Sequence, residues 1–193
     1  MNPLKLYIAG KVSSNSVFGT SHWRDSLCKE LSEKSGLAII SLDPAKCDDD
    51  FVLDQNNAEL IVGRCCHMIQ LADVVIVNLT DDISVGGSQE MLIAKRYSKP
   101  LIGIASRGGK FNKDTKEMLG KTYHNYLDPF VKISCDHIVE DISGAAALLQ
   151  EFMEKKQQIK DITVLDKARR YYEKEHHAKD KILHVQDTSQ KHL

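Results

Sequence analysis

The run from Val74 to Leu79 constrains the fold of this chain more strongly than any other segment. Its residues, Val-Val-Ile-Val-Asn-Leu, carry no charge and show no regular alternation of polar and apolar side chains. A strand that is buried on both faces has this composition, because helices cover both sides of the sheet to which it belongs. The segment therefore predicts a central strand of a parallel sheet in an α/β protein.

Short apolar runs alternate along the chain with segments in which apolar residues have helical spacing. The runs predict strands at residues 4–9, 37–42, 74–79, 100–105 and 131–134. The periodic segments predict helices at residues 22–34, 58–71, 88–99 and 138–156. We interpret 46–57 as a loop or weak helix, and 115–128 as irregular chain or a short helix. This alternation favours a doubly wound, flavodoxin-like sheet of five parallel strands with helices on both faces, and by analogy we expect the strand order 2-1-3-4-5.

The composition changes at Gln157. The stretch from Asp166 to Lys181 is dense in charge, and a polar segment from Gln186 to Leu193 ends the chain. We expect a domain of residues 1–156 and a charged helical extension and tail of residues 157–193, a pattern typical of a solvated helix with a frayed end. The histidines of this extension lack the spacing of metal ligands.

Charge and cysteine content narrow the class of protein. Lys and Arg number 26 and Asp and Glu number 27, so no net charge attracts nucleic acid or an acidic membrane. No apolar stretch approaches a membrane span, and the N-terminal apolar run is too short for a signal peptide. The five cysteines form no repeated Cys-x-x-Cys pattern, which favours a reducing compartment. We expect a cytoplasmic protein that binds neither nucleic acid polymers nor membranes.

Several familiar site motifs are absent. Gly10-Lys-Val-Ser-Ser-Asn stands where a dinucleotide-binding fold would have Gly-x-Gly-x-x-Gly. Arg107-Gly-Gly-Lys-Phe lacks the spacing of a phosphate-binding loop, and Phe111 replaces the residue that would hold magnesium. Cys65-Cys66-His67 are neighbours on a predicted helix and point in different directions, so they cannot bind one metal ion together. The sequence therefore predicts neither a metal nor an organic cofactor.

Glu90 is the strongest candidate for a chemical role. It shares a helical stripe with Ile93, Ala94 and Tyr97 near the start of the helix predicted at 88–99. A carboxylate on an apolar stripe points into the protein, where it needs partners to offset a desolvation cost of several kcal/mol, on the order of the transfer scales. The free N–H groups of a helix start favour negative charge and supply one such partner. We therefore predict an ionised acid at the carboxyl end of a strand, where open α/β sheets bind ligands.

Further polar and small residues gather at the same predicted crevice. In a 2-1-3 order the connections reverse between the first and third strands, and ligands bind at that point. The candidates supply a phenol, close backbone approach, polar loop groups and a carboxylate: Tyr7, Gly10, Asn78, Ser84, Gly86, Gly87, Ser88 and Glu90. Each alone also has a purely structural explanation, but together they favour a binding site.

Three segments carry a family resemblance. They are Leu6-Tyr-Ile-Ala-Gly10 followed by Trp23-Arg24, then Ala72-Asp-Val-Val-Ile-Val-Asn-Leu-Thr80, then Ser84-Val-Gly-Gly-Ser-Gln-Glu90 with Ala94. In this order they resemble the nucleoside 2-deoxyribosyltransferase superfamily, which includes the 2′-deoxynucleoside 5′-monophosphate N-hydrolases. The similarity extends from about Lys5 to Phe152. It implies a Rossmann-like α/β sandwich, commonly a homodimer or an oligomer of dimers, that acts on a small nucleoside or nucleotide without a cofactor.

The resemblance also implies roles for single residues. Glu90 matches the family's nucleophilic glutamate, Tyr7 the tyrosine that contacts it, and Gly10 a glycine that lines the sugar. Ser84 lies six residues before Glu90, where the transferases tend to have aspartate for a free 5′-hydroxyl and the monophosphate hydrolases have serine against the phosphate. With Gly86, Gly87 and Ser88 at a helix start, this favours a 5′-monophosphate. The implied reaction is hydrolysis or transfer through a covalent glycosyl-Glu90 intermediate.

One position departs from the family pattern. Cys65 stands seven residues before Ala72, where the family usually has an aspartate that orients the nucleophile and handles the proton of the base. A neutral thiol cannot relay a proton as a carboxyl does, and Asp43, Asp54 and Glu59 are possible substitutes. Two other interpretations stay open: a nucleotide-binding or sensor protein that has lost turnover, and a flavodoxin-like interaction domain that uses its charged C-terminal helix.

Overall fold

Strands and helices alternate along most of the chain. The computed structural model describes residues 2–20, 22–47, 54–154 and 158–183. The strands are β1 (Leu4–Ala9), β2 (Ile39–Leu42), β3 (Val74–Asn78), β4 (Leu101–Ile104), β5 (Asn112–Met118), β6 (Lys121–Leu127) and β7 (His137–Val139). The α-helices are α1 (Trp23–Ser35), α2 (Ala58–Leu71), α3 (Val85–Arg96), α4 (Pro129–Ser134), α5 (Ile142–Glu154) and α6 (Val164–Glu175). The chain divides into two units, Met1–Asp161 and Ile162–Leu193.

The central sheet belongs to the first unit. Its strands lie in the order β2-β1-β3-β4-β7, and each neighbouring pair is parallel. All five residues of β3 are buried, as its uncharged composition predicts for a central strand. The predicted α/β fold and strand order are therefore confirmed, with β7 in the fifth position.

Helices cover both faces of this sheet. One cluster, which joins the sheet to α1 and α5, contains Leu6, Ile8, Trp23, Leu27 and Leu149. The other, which joins the sheet to α2 and α3, contains Tyr7, Ala9, Ile69 and Ala94. Successive residues of β1 thus face opposite helix layers, and this alternation puts Tyr7 on the same side as α3.

The predicted fifth strand at 131–134 is wrong, because these residues belong to α4. The Asp128 side chain accepts hydrogen bonds from the backbone N–H groups of Phe130 and Val131, and Pro129 occupies the first turn. A capping aspartate followed by proline is a strong helix start, and it outweighs the apolar run. The fifth strand of the sheet is β7, and the following helix begins at Ile142 rather than at 138.

The interpretation of 115–128 as irregular or helical is also wrong. Most of this segment lies in an antiparallel hairpin of β5 and β6, with Met118 paired to Lys121. Leu119 and Gly120 at its tip have φ values of 53° and 70°, as a two-residue hairpin turn of the primed type requires. Because most of the hairpin's side chains are polar, its sequence lacks the apolar alternation that marks a half-buried strand.

Helix α3 begins at Val85, three residues earlier than predicted, and Ser84 caps it. Glu90 therefore lies in the second turn rather than the first, where the helix dipole contributes less. The second unit contains α6 and a short 3₁₀ helix, His177–Lys179. The predicted polar end at 186–193, the end of the helix predicted to 156, and part of the loop predicted at 46–57 fall outside the described residues. Within the described ranges, no helix has both the length and the apolar character of a membrane span.

Candidate functional site

Glu90 and Tyr7 form a buried pair between α3 and β1. The Tyr7 hydroxyl donates a hydrogen bond to Oε1 of Glu90 across 2.7 Å. Tyr7 is fully buried and Glu90 is 8% exposed. The other carboxylate oxygen, Oε2, is buried and has no hydrogen-bond partner among the residues that the structure describes. Tyr7 thus holds one oxygen of Glu90 in place, and the other forms no hydrogen bond of normal geometry with a described residue.

Burial sets the electrostatics of this pair. It raises the pKa of Glu90 above its ordinary value, and the Tyr7 hydrogen bond and then the Arg24 guanidinium act against the rise. The Cys65 thiol and the backbone N–H of Gly10 oppose it further. Burial, followed by the charge of Glu90, raises the pKa of Tyr7 as well, so the phenol stays protonated and remains a donor.

Gly10 brings the end of β1 against the start of α3. Its φ is +152°, a conformation that side chains rarely adopt, and a Cβ atom there would lie 3.0 Å from the Trp23 ring. A Cβ atom on Gly87 would in turn lie 3.3 Å from the backbone N of Gly10. Gly10 and Gly87 therefore allow β1 and α3 to approach so closely that the Gly10 N–H stabilises the charged form of Glu90.

Arg24 is a buried cation that the sequence motifs alone did not identify as a site residue. It is 1% exposed, and its Nε and Nη2 donate to the carbonyl oxygens of Ile8 and Gly10, each across 3.0 Å. Its Nε lies 3.7 Å from a carboxylate oxygen of Asp43. Nη1 is buried without a hydrogen-bond partner among the described residues. The stripe argument that identified Glu90 applies to Arg24 too, because it shares a helix face with Leu27 and Leu31.

Pro44 explains why an arginine is needed at this point. The ladder between β1 and β2 starts with the Leu4 N–H donating to the Ala38 carbonyl, and Tyr7 pairs with Leu42. If this parallel alternation continued, the N–H of residue 44 would donate to the Ile8 carbonyl. Proline has no N–H, and Arg24 Nε donates to that carbonyl instead.

The start of α3 presents the predicted anion-binding residues. Ser84 Oγ accepts a hydrogen bond from the Gly87 N–H across 3.1 Å, and its own hydroxyl proton remains available. The nearest atom to a Cβ on Gly86 would be Ser84 Oγ at 4.0 Å, so the space beside the first turn is open. The Ser88 hydroxyl donates to the Val85 carbonyl within the helix.

Asn78 lies at the same edge of the sheet but serves the other face. Its side-chain oxygen accepts hydrogen bonds from the N–H and the hydroxyl of Thr80, across 3.1 and 2.8 Å. It lines a cavity with Leu27 and Ile104, which belong to the cluster of α1 and α5. The structure therefore separates the Asn78 side chain from the pair of Tyr7 and Glu90.

Cys65 lies next to the Tyr7–Glu90 pair. It is half-buried on α2, and its thiol interacts with both Tyr7 and Glu90. Burial raises the pKa of the Cys65 thiol, so it stays neutral. Asp54 and Glu59 are exposed, whereas Asp43 is buried beside Arg24. Of the three acids considered as substitutes, Asp43 alone is enclosed near this site.

Two loops join at the carboxyl end of β1 and β3. Lys11 Nζ lies 2.9 Å from a carboxylate oxygen of Asp81, and the backbone N–H of Ser16 donates to that carboxylate across 2.8 Å. Hydrogen bonds from Ser16 and Lys11 lower the pKa of Asp81 to about 2. Asn15 Nδ2 donates to Thr80 Oγ1 across 3.2 Å. These contacts hold the loop after β1 against the loop after β3.

Among the described residues, no group of three or more His, Cys, Asp or Glu side chains is placed to hold a metal ion. The half-buried thiols of Cys65 and Cys66 stand beside an exposed His67 on α2.

Comparison with known proteins shows the fold. No protein-family model matches the sequence, and no curated protein matches it either. A conserved protein from Enterococcus faecalis V583 aligns over 78% of this chain and 99% of its own, with a TM-score of 0.55 and 14% identity. A 2-deoxyribosyltransferase from the psychrotolerant bacterium Bacillus psychrosaccharolyticus aligns over 74% of this chain and 90% of its own, with a TM-score of 0.48 and 15% identity. Because one fold serves many functions, these similarities show the fold alone.

Proposed function

We propose that this protein cleaves the N-glycosidic bond of a (deoxy)nucleoside or its 5′-monophosphate through a covalent intermediate on Glu90. The observation that carries the proposal is the asymmetric environment of this carboxylate. Tyr7 holds Oε1 across 2.7 Å, and Oε2 is buried without a partner among the described residues. A buried polar atom without a partner is unfavourable, and the positive charge that develops at C1′ in an oxocarbenium-like transition state would compensate Oε2.

The reaction has two displacements at the anomeric carbon. Oε2 of ionised Glu90 attacks C1′, the C1′–N bond breaks, and its electron pair leaves with the base, which takes up a proton. Water, or a nitrogen of a second base, then attacks C1′ and expels Glu90 as a carboxylate. Two inversions give net retention, as in retaining glycosidases. Tyr7 acts by fixing the carboxylate, and its raised pKa keeps its proton in place.

The start of α3 supports a 5′-monophosphate as the substrate. Ser84 keeps a hydroxyl donor, the first turn has open space beside Gly86, and the helix dipole favours an anion there. A free hydroxyl donor at a helix N-terminus suits a phosphate better than an uncharged hydroxyl.

Nucleotide binding without turnover is the second candidate, and Cys65 favours it. Its thiol contacts the Tyr7–Glu90 pair and stays neutral, because burial raises its pKa. A neutral thiol cannot pass a proton to the departing base as a carboxyl would. In this alternative the crevice binds its ligand and the glycosidic bond stays intact.

Free base in solution tests the proposal. The purified protein is incubated with a panel of nucleosides and their 5′-monophosphates, and released base is measured by chromatography. Glu90→Gln is the inactive variant, and Glu33→Gln is its matched control because Glu33 is an exposed glutamate on α1. Base release by wild type and control but not by Glu90→Gln supports the proposal. Release by Glu90→Gln contradicts it, and binding without release supports the second candidate.

We also propose a cytoplasmic homodimer or dimer of dimers. The oligomer follows from the family resemblance, and the five free thiols suit a reducing compartment. Sedimentation velocity of the purified protein measures the oligomeric state, and a monomer at micromolar concentration would contradict it.

A further inference from the structure

A second cavity lies on the face of the sheet opposite to Glu90. Its volume is about 180 Å³, and its apolar wall includes Phe18, Leu27, Ile104 and Ile142. These residues belong to or pack against the cluster of α1 and α5, whereas Tyr7 belongs to the other cluster. The volume equals that of about six water molecules, and it lies below the roughly 300 Å³ at which sites for drug-sized molecules begin. An occupant would be small, such as a one- or two-ring heterocycle.

Asn78 places a polar group in this apolar wall. The side chain is 5% exposed, and its oxygen is occupied by the N–H and the hydroxyl of Thr80. Because the Thr80 N–H can only donate, it identifies which end of the Asn78 amide is the oxygen. The amide nitrogen, Nδ2, has no hydrogen-bond partner among the described residues, and it is not one of the fully enclosed polar atoms, so it reaches the open space of the cavity. Asn78 thus offers a donor to an occupant that carries an acceptor.

The rim of the cavity carries carboxylates. Glu30 from α1 and Asp141, just before α5, both line it. Glu30 Oε1 lies 3.7 Å from Lys34 Nζ, and Asp141 Oδ1 accepts from the Gly144 N–H. Carboxylates are hydrogen-bond acceptors only, so the rim favours a ligand group that donates.

We propose that this cavity binds an amino-substituted nitrogen heterocycle, with a ring acceptor on Asn78 Nδ2 and its amino group toward Glu30. Adenine and cytosine belong to this class, and the choice of a nucleobase within the class rests on the proposed function. The cavity is then a site for free base that is separate from the reaction crevice. Thr80 connects the cavity to the loop after β1, because it binds Asn78 and also accepts a hydrogen bond from Asn15 in that loop.

Methyl NMR of the full-length protein can locate the base directly. Adenine and cytosine, titrated against the labelled protein, should shift the methyl signals of Leu27, Ile104 and Ile142. Uracil, which has a carbonyl oxygen where cytosine has its amino group, should bind at least about tenfold more weakly, because that oxygen would face the carboxylate rim as a second acceptor.

Two variants test the contacts. Asn78→Asp keeps an oxygen for Thr80 but replaces the donor by an acceptor, so adenine affinity should fall about tenfold or more. Asn57→Asp is the matched control, because Asn57 is an exposed asparagine whose oxygen accepts the Leu60 N–H. Ile142→Trp narrows the cavity from its half-buried rim without adding charge, and it should also weaken binding.

Three results would overturn the inference. The first is an absence of shifts at the cavity methyls, and the second is unchanged adenine affinity in both cavity variants. The third is a set of shifts confined to Ile69 and Met91, which would place the base on the Glu90 face. The proposed function is judged separately by base release, so base release without binding here removes only this inference, and binding here without base release removes only the proposed reaction.

Discussion

Replacing Arg24 by alanine should lower the free energy of unfolding by about 3–5 kcal/mol. The guanidinium is 1% exposed and donates to the carbonyls of Ile8 and Gly10, and its charge lies 3.7 Å from the buried Asp43. Alanine leaves two backbone acceptors unsatisfied and a buried carboxylate without its counter-ion. Hydrogen bonds to charged groups contribute about 1.5–3 kcal/mol each, so the sum of two agrees with the range above.

Arg24→Lys separates charge from geometry. A lysine keeps the positive charge, but its single ammonium on a flexible stem cannot reproduce a planar fork that reaches two carbonyls. We expect a loss of about 1.5–3 kcal/mol, close to one charged hydrogen bond.

Urea denaturation followed by circular dichroism measures both variants. Arg96→Ala is the control, because Arg96 is exposed on α3 and should change stability by no more than about 0.5 kcal/mol. A loss below about 1 kcal/mol in Arg24→Ala would refute the reasoning, since it would mean that water replaces the guanidinium at the end of β1.

Four further predictions concern the proposed reaction crevice. Glu90→Gln should abolish base release with little loss of stability, and near-normal turnover would contradict the nucleophile assignment. Because burial raises the pKa of Glu90, the contribution of this group to the free energy of unfolding is highest at low pH and falls as pH rises through the raised pKa. The wild type should show this pH dependence and Glu90→Gln should lack it. Identical pH–stability curves for the two proteins would contradict the prediction. Ser84→Asp should lower the ratio of kcat/KM for a monophosphate over its nucleoside, through repulsion of the phosphate, and an unchanged ratio would place the phosphate elsewhere. Cys65→Asp should raise base release about a hundredfold if a missing proton donor limits the rate; a slower variant with an unchanged thermal melt would mean that another residue, such as Asp43, does this work.

The sequence by itself determined four of the five strands of the sheet and its main helices, but not the fifth strand, which it predicted at 131–134 and which lies at His137–Val139. An uncharged run such as Val74 to Leu79 is stable mainly as a strand with helices on both faces of its sheet, so this pattern directly predicts a parallel α/β fold. The buried face of α1 followed in the same way from its helical spacing. The sequence also predicted that Glu90 points inward, because a helix stripe is a local property.

Only the tertiary structure decided which groups surround Glu90. The contact with Tyr7 joins residues 83 positions apart, and it depends on the register of β1, since a shift by one residue would turn Ile8 toward α3. The alternation of side chains along β3 likewise turns Asn78, its last residue, to the face opposite Glu90, although sequence patterns identify β3 itself. Arg24 donates to the Ile8 carbonyl because Pro44, which follows β2 and lies far from both residues in sequence, has no N–H to donate to it. Such long-range pairing follows from how elements pack, and no local pattern of residues encodes it.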